Sequence, residues 1–479
     1  MSTVTDKQQL AVETIANLVS KARTAQEIYA TYSQAQIDEV VLGVAWSLME
    51  PANNRKLAEQ AVSDTGLGDV DDKITKNHRK TLGLLRDLKH AKTVGVINEI
   101  PEKGLIEIAR PLGVIGAVVP STNPVATPYN KTLNALKCGN AIILAPSPAG
   151  QKVCAEIIKL IHKTLGKLGA PTDLVQMLPT PASKALTYEL MRQVDLIVVT
   201  GSQNNVKAAY TSGTPAIGVG SGNVPSIIDA SADLADAAAK IMASKTFDNA
   251  TSCSSENSIV ILDAIYDDMM TELEKVGGRL LDADEKQQLQ STLWDQHGHL
   301  SRTVIAQSAN KVLGASGLKH GSLAGAKFLM VSESGWGKDF PFSDEKLSPV
   351  LTVYRARDFE HACEIASGIL EYKGQGHSVS IHSKDDAHID SLGHNLPVSR
   401  VIVNQAHTFG TGGGFNNGLP FSLSMGCGSW GGNSIYDNLN YRHYMNITRI
   451  ARTIPIDEPT VAEIFGDYWQ AQGIEQTGA

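Results

Sequence analysis

The chain has 479 residues, more than one compact core accommodates, so two or more domains are expected. Its 42% hydrophobic and 19% charged residues are those of an ordinary globular protein, and no run approaches the roughly 20 apolar residues needed to span a bilayer. A net charge of −8, with no dense block of Lys or Arg, argues against a nucleic-acid partner. Through the first hundred residues the pattern reads as helix. Apolar positions recur at three- and four-residue spacing over Gln9 to Lys21 and Glu39 to Met49, broken at Gly66 to Gly68. The texture changes at Leu105, with strand-like stretches at Ile106 to Arg110 and Val114 to Val119. Helix is then expected over Lys131 to Lys137, strand over Ala141 to Ala145, and helix over Gln151 to Leu168. Strand at Val175 to Leu178, helix around Ala182 to Gln193 and strand at Asp195 to Thr200 complete an alternation typical of βαβ units. Beyond Pro225 the alternation restarts. Helices at Leu234 to Lys245 and Asp267 to Val276 flank a strand at Ser258 to Leu262, followed by strands at Val350 to Tyr354, Ser378 to His382 and Arg400 to Asn404. Gly410 to Asn433, rich in Gly, Asn and Ser, reads as a long functional loop. The fold class is therefore α/β, with two doubly wound parallel sheets.

Five cysteines, Cys138, Cys154, Cys253, Cys363 and Cys427, are scattered without a CxxC pair, which disfavours a disulfide framework and a zinc cluster. No metal site is expected. The first ten residues lack a basic segment followed by an apolar run, so no signal peptide is expected and the location reads as cytoplasmic. One thiol differs from the others in its setting. In Lys245-Thr-Phe-Asp-Asn-Ala-Thr-Ser-Cys253-Ser-Ser-Glu256 the neighbours are small, hydroxylic or amide-bearing, which leaves the sulfur accessible and backbone N–H groups near it. On these residues alone a nucleophile and a cysteine packed behind polar neighbours are equally good readings.

Several segments together resemble the aldehyde dehydrogenase superfamily, and its CoA-acylating branch in particular. They are Arg110-Pro-Leu-Gly-Val-Ile-Gly-Ala-Val-Val-Pro-Ser-Thr-Asn-Pro124, Val206 to Asn223, the cysteine segment, Glu345-Lys-Leu-Ser-Pro349 and Gly426-Cys-Gly-Ser-Trp-Gly-Gly-Asn433. The resemblance runs from about Leu10 to Arg452. It implies three parts: residues 1–226 binding nicotinamide and CoA, residues 227–420 carrying the nucleophile, and residues 421–479 returning to the cofactor domain with a small oligomerisation element. A homodimer or homotetramer is implied. So is a Cys253 thiolate that adds to an aldehyde and then expels hydride to a nicotinamide, leaving a thioester. Asn123, which by itself would read as an Asn-Pro turn, becomes a donor to the oxyanion together with the Cys253 N–H.

Hydrolytic members of the family carry a Glu-Leu-Gly-Gly segment whose glutamate activates water. Matching Gly222 and Pro225 to that segment puts Val219 at the glutamate's place, and valine cannot accept a proton. A thiol is more acidic than water and more nucleophilic, so coenzyme A is the implied acyl acceptor. Glu256, three residues from Cys253, is the alternative base for hydrolysis. For the nicotinamide the resemblance implies Thr122, Ser147, Gly201, Ser202, Gly220, Glu345 and Pro349. Ala145 stands where a ribose-binding lysine is common, which leaves NADP and NAD equally open. The polar loop Phe409 to Pro420, with Tyr441-Arg-His443, looks similar to acylating dehydrogenases that act on sulfoacetaldehyde. That implies a pocket for a fixed anion. Thr408, Asn416, Asn417 and Arg442 are its candidate donors, with His377 and His407 as donors or polar wall residues. Acetaldehyde and succinate semialdehyde are the alternative substrates.

Overall fold

The computed structural model describes residues 2–318 and 321–474. Four helices open the chain: α1 (Ser2–Tyr29), α2 (Gln34–Met49), α3 (Pro51–Thr65) and α4 (Val70–Leu88). Their starts follow from local chemistry. Ser33 and Gln36 form a capping box on α2, and the Asp69 carboxylate accepts from the N–H groups of Asp71 and Asp72 to start α4. Gly66, in the left-handed region at φ 70°, ends α3.

Two antiparallel strands follow, β1 (Gly95–Ile100) and β2 (Leu105–Pro111). The helical reading of the first hundred residues therefore stops short, because β1 presents both faces to solvent and so lacks a strand's alternation of apolar and polar residues. Next come β3 (Val114–Val119), α5 (Ala126–Lys137), β4 (Ala141–Pro146), α6 (Gln151–Lys167), β5 (Val175–Met177), α7 (Lys184–Gln193), β6 (Leu196–Thr200), α8 (Gln203–Tyr210) and β7 (Ala216–Val219). These strands form an all-parallel sheet in the order β5-β4-β3-β6-β7. Every residue of β3 and β4 is buried, as expected for strands covered on both faces by helices.

A second all-parallel sheet holds β8 (Val224–Ile228), β9 (Glu256–Leu262), β10 (Gly278–Leu280), β11 (Phe328–Ser332), β12 (Val350–Ala356), β13 (Val379–His382) and β14 (Val401–Val403). Their order is β10-β11-β12-β9-β8-β13-β14, with helix α9 (Leu234–Thr246) between β8 and β9. Finally β15 (Met445–Ala451) returns to pair with β2 across seven residue pairs, which makes a three-stranded antiparallel sheet. No helix among the described residues is long and apolar enough to cross a membrane.

Candidate active site

The order of the five-stranded sheet reverses at β3, which has β4 on one side and β6 on the other. Ligands of open α/β sheets bind at such a switch point, beyond the carboxyl ends of the strands. A cavity of about 870 Å³ opens there. The chain leaving β3 lines it with Pro120 to Asn123, the chain leaving β4 with Ser147, that leaving β6 with Gly201 and Ser202, and that leaving β7 with Gly220 and Ser221. The second sheet faces the cavity with the opposite ends of its strands. Cys253 precedes β9, and Glu345 and Leu347 precede β12. The two sheets thus bring Asn123 and Cys253 to one cavity although 130 residues separate them in the chain.

Cys253 sits on a sharply shaped approach. Asp248, Asn249 and Ala250 all occupy the left-handed region, with φ of 51°, 52° and 58°. Three consecutive non-glycine residues there are strained and need an external clamp. The clamp is α4. Buried Asp248 accepts from the Asp69 N–H at 2.8 Å and from Lys73 Nζ at 3.0 Å, and its own N–H donates to Asp72 Oδ2 at 2.7 Å. Burial alone would raise the Asp248 carboxyl, but Lys76 and Lys73 hold it below the usual carboxylate range.

Lys76 is the centre of this network. Its ammonium donates to Asp248, to Thr251 Oγ1 at 3.0 Å and to Asn123 Oδ1 at 2.9 Å. An ammonium can only donate, so it fixes the oxygen end of the Asn123 amide and leaves Nδ2 as the end available to an oxyanion. One lysine therefore ties the nucleophile turn to the oxyanion donor. Replacing Asn123 by Ala is expected to lower kcat by roughly 10²–10³-fold, the usual effect of one oxyanion donor. Steady-state kinetics check it, and a near-normal kcat would return Asn123 to a turn role.

Burial first, and then nearby Glu345, push the half-buried Cys253 thiol up to about 12. Burial likewise pushes the Glu345 carboxyl up to about 8. At neutral pH both groups are held mainly in their protonated, neutral forms. Glu256 is not among the cavity-lining residues. It is buried, its Oε1 accepts from the His407 N–H at 3.0 Å, and burial raises its carboxyl to about 7. The alternative base for hydrolysis is thus not part of the cavity lining.

Other expected residues separate into two groups. Thr122, Ser147, Gly201, Ser202, Gly220, Glu345 and Thr408 line the cavity, whereas Pro349 is buried and its carbonyl accepts from Leu329 N–H beside β11. His407 lies behind the wall, with Nδ1 at 2.7 Å from the Ser254 carbonyl, and burial lowers it to about 4. His377 is buried too and held well below its ordinary value by that burial. Its Nδ1 bonds Ser378 Oγ at 2.7 Å, and its Nε2 has no partner. Only Gly222 fits between His377 and the Cys253 backbone: a Cβ there would come within 2.1 Å of the Cys253 carbonyl oxygen.

Three donors expected for the substrate do not reach the cavity. Arg442 is exposed on a turn over the Tyr441 ring, and Asn416 is exposed. Asn417 spends its amide on the loop itself, donating to Gln405 Oε1 and the Gly410 carbonyl and accepting from Gly414 and Leu419 N–H groups. In their place the cavity holds side chains that the sequence motifs passed over: Lys76, Arg79 and Lys80, spaced i, i+3, i+4 on one face of α4. The signal was the run Lys73-Ile-Thr-Lys76-Asn-His-Arg79-Lys80, a cationic stripe at helical spacing. With Lys184 and Lys373 the lining carries five cations against one carboxylate, Glu345, among the described residues.

This arrangement can hold a dinucleotide. A Cβ at Gly201 would meet only Asn205 Nδ2, 4.0 Å away, so bare backbone faces the cavity where α8 begins. The amino end of a helix is suited to a pyrophosphate. No cluster of three or more metal-ligating side chains occurs among the described residues.

A thiol facing an amide donor at the switch point of a parallel sheet is the arrangement of a thiol-dependent dehydrogenase. The aldehyde dehydrogenase family model matches residues 2–418, and the chain belongs to that family. It is 58% identical over 97% of its length to an acylating sulfoacetaldehyde dehydrogenase of Cupriavidus necator, covering 94% of that protein. It is 41% identical to another from Bilophila wadsworthia, with 96% of this chain and all of that protein covered. Among solved structures, an acetylating aldehyde dehydrogenase of Geobacillus thermoglucosidasius superimposes with a TM-score of 0.90 at 36% identity, over 95% of this chain and 99% of that one.

Proposed function

We propose that this enzyme oxidises sulfoacetaldehyde to sulfoacetyl-CoA through a thioester on Cys253, reducing NADP or NAD, and that it also runs in reverse. The observation that carries the acylating reading is the lack, among the described residues lining the cavity, of a carboxylate free to deprotonate water. Glu345 alone lines it, and burial keeps that carboxyl protonated near neutrality. Val219 occupies the place of the hydrolytic glutamate. The similarity to sulfoacetaldehyde dehydrogenases supports the substrate.

In this mechanism Cys253 Sγ attacks the aldehyde carbon, and its proton leaves to solvent. Asn123 Nδ2 and the Cys253 N–H receive the oxyanion, with Lys76 keeping the amide in place. A bound nicotinamide would supply the hydride acceptor for collapse of the oxyanion to the Cys253 thioester. Thr122, Ser147, Gly201, Ser202, Gly220 and Glu345 would hold it. The CoA thiol then takes the acyl group and returns the Cys253 thiol. Within this reading residues 1–226 bind the nicotinamide and CoA, residues 227–420 present the nucleophile, and residues 421–479 close the fold and mediate oligomerisation. Exposed apolar side chains at Val461, Ile464, Phe465 and Tyr468 support a homodimer or homotetramer. The five free thiols support a reducing, cytoplasmic setting.

The test is a panel of sulfoacetaldehyde, acetaldehyde and succinate semialdehyde, each with CoA and with either nicotinamide. The highest kcat/KM is expected with sulfoacetaldehyde, with sulfoacetyl-CoA identified by mass. A higher value for either other aldehyde would overturn the substrate assignment.

A further inference from the structure

Among the described residues three cations of the cavity lining have no carboxylate partner, and two of them, unlike exposed Lys184, are withdrawn from solvent. Buried Lys80 and half-buried Arg79 both line the cavity, and neither forms an ion pair among the described residues. Removing a cation from water without an anion beside it is unfavourable, so such groups are kept where an anionic ligand completes them. Donor counting separates these two from their neighbour. Lys76 uses all three of its N–H groups, on Asn123, Asp248 and Thr251. Lys80 uses two, on the carbonyls of Gly412 at 2.6 Å and Ser422 at 3.2 Å, which keeps the glycine-rich loop against α4 and leaves one N–H free. Arg79 uses one of five, on the Phe409 carbonyl at 2.9 Å.

Their placement is fixed. The Arg79 guanidinium lies over the rings of Phe409, Phe415 and Phe421, 5.2 to 5.7 Å from their centroids, so it is oriented by stacking instead of by a counter-charge. Cys253 lines the same cavity as these two cations. Burial, and then Arg79 and Lys76, push Lys80 down to about 7, as expected of clustered cations awaiting an anion.

We infer that Arg79 and Lys80 form the anion clamp that selects an aldehyde bearing a fixed negative charge one carbon from its carbonyl. This rests on the acylating sulfoacetaldehyde reading above and names the residues that would read the sulfonate. In such a substrate only the methylene separates the sulfur from the reacting carbon. An anion site must therefore lie in the cavity that holds the nucleophile, and Arg79 and Lys80 line that cavity together with Cys253. The N–H groups left free, four on the guanidinium and one on the ammonium, suit the three equivalent oxygens of a sulfonate.

The experiment begins with wild-type enzyme, comparing kcat/KM for sulfoacetaldehyde and for neutral propionaldehyde at saturating CoA and nicotinamide. No preference for the charged aldehyde would sink the substrate reading itself, before any variant is made. Given that preference, Arg79→Gln, which keeps a donor for the Phe409 carbonyl, and Lys80→Met are each expected to reduce it about 10- to 100-fold, the weight of one hydrogen bond to a charged group. Variants that fold, by thermal melt, yet retain the preference would overturn the clamp. Ethanesulfonate gives a readout on the wild-type protein that needs no variant. It should raise the apparent KM for aldehyde and leave those for CoA and nicotinamide unchanged. Competition against CoA or NADP would assign the cations to a phosphate, and no inhibition would remove the site; either result overturns the proposal.

Discussion

Replacing Cys253 by Ala is expected to lower aldehyde oxidation to the uncatalysed rate, a loss of roughly 10⁴- to 10⁶-fold, the scale on which removing a covalent nucleophile acts. The fold should survive, because the side chain is half-buried among Ser252, Ser254 and Thr251 and contributes one sulfur atom to no apolar cluster. Nicotinamide binding, followed by fluorescence titration, should persist as well, since the cofactor residues leave β3, β4, β6 and β7 and Cys253 precedes β9. The wild-type thiol carries a second signature. Burial and Glu345 push it to about 12, so the thiolate fraction rises as pH rises toward that value. Alkylation of the free enzyme by iodoacetamide should therefore speed up about tenfold per pH unit between pH 7 and 10. A plateau near neutrality would mean a thiolate already formed in the resting enzyme. Residual turnover of the Ala variant above the no-enzyme rate would reassign the nucleophile.

Elements whose burial imposed a pattern were readable in the chain. The strands β3 and β4 have both faces covered and read as continuous apolar runs, β9 holds such a run over Ile259 to Leu262, and α6 carries one apolar stripe. β1 was not readable, since its partner β2 holds it by backbone bonds while its side chains meet solvent. The glycine-rich stretch after Gly410 reads as a loop and is one, but it is held firmly. Gly412 and Ser422 are clamped by Lys80, and Ser422 and Ser424 are buried. Its order comes from a side chain more than 300 positions away, which no local pattern contains.

The site divides along the same line. Cys253 stands in a segment whose composition is itself unusual, Asn123 is marked by the family resemblance, and the structure brings both to the cavity. Asn416 and Asn417 in the loop and Arg442 after it are polar, yet polarity does not say which way a side chain points. Asn417 is consumed in holding its own turn. Lys76, Arg79 and Lys80 give no local signal of a site, because cations on a helix are normally a solvated face. Here α4 is sandwiched between the nucleophile turn and the glycine-rich loop, so that face is interior and its cations line the cavity.

Withholding CoA should stop the enzyme after a single turnover. Enzyme, aldehyde and oxidised nicotinamide mixed rapidly are expected to give one burst of reduced cofactor, at most one equivalent per active site, followed by a flat trace. The reason is the missing base. Water attacks a thioester slowly unless a carboxylate or imidazole removes its proton. Val219 has no such group, Glu256 faces His407 behind the wall, and Glu345 is held protonated by burial at neutral pH. His377 is neutral, but it is not among the described residues lining the cavity. A thiol is several pK units more acidic than water and attacks without that help. Adding CoA should therefore restore steady turnover, with acyl-CoA and reduced nicotinamide formed in equal amounts, and intact-protein mass before CoA addition should show the acyl group on Cys253. Raising the pH is the informative control. As pH climbs through about 8 Glu345 ionises and becomes able to take a proton, so any slow CoA-independent acid formation should increase there, while a Glu345→Gln variant should lose that increase. Free acid formed without CoA at a rate equal to the CoA-dependent one would refute the acylating assignment and require a water-activating base at this site.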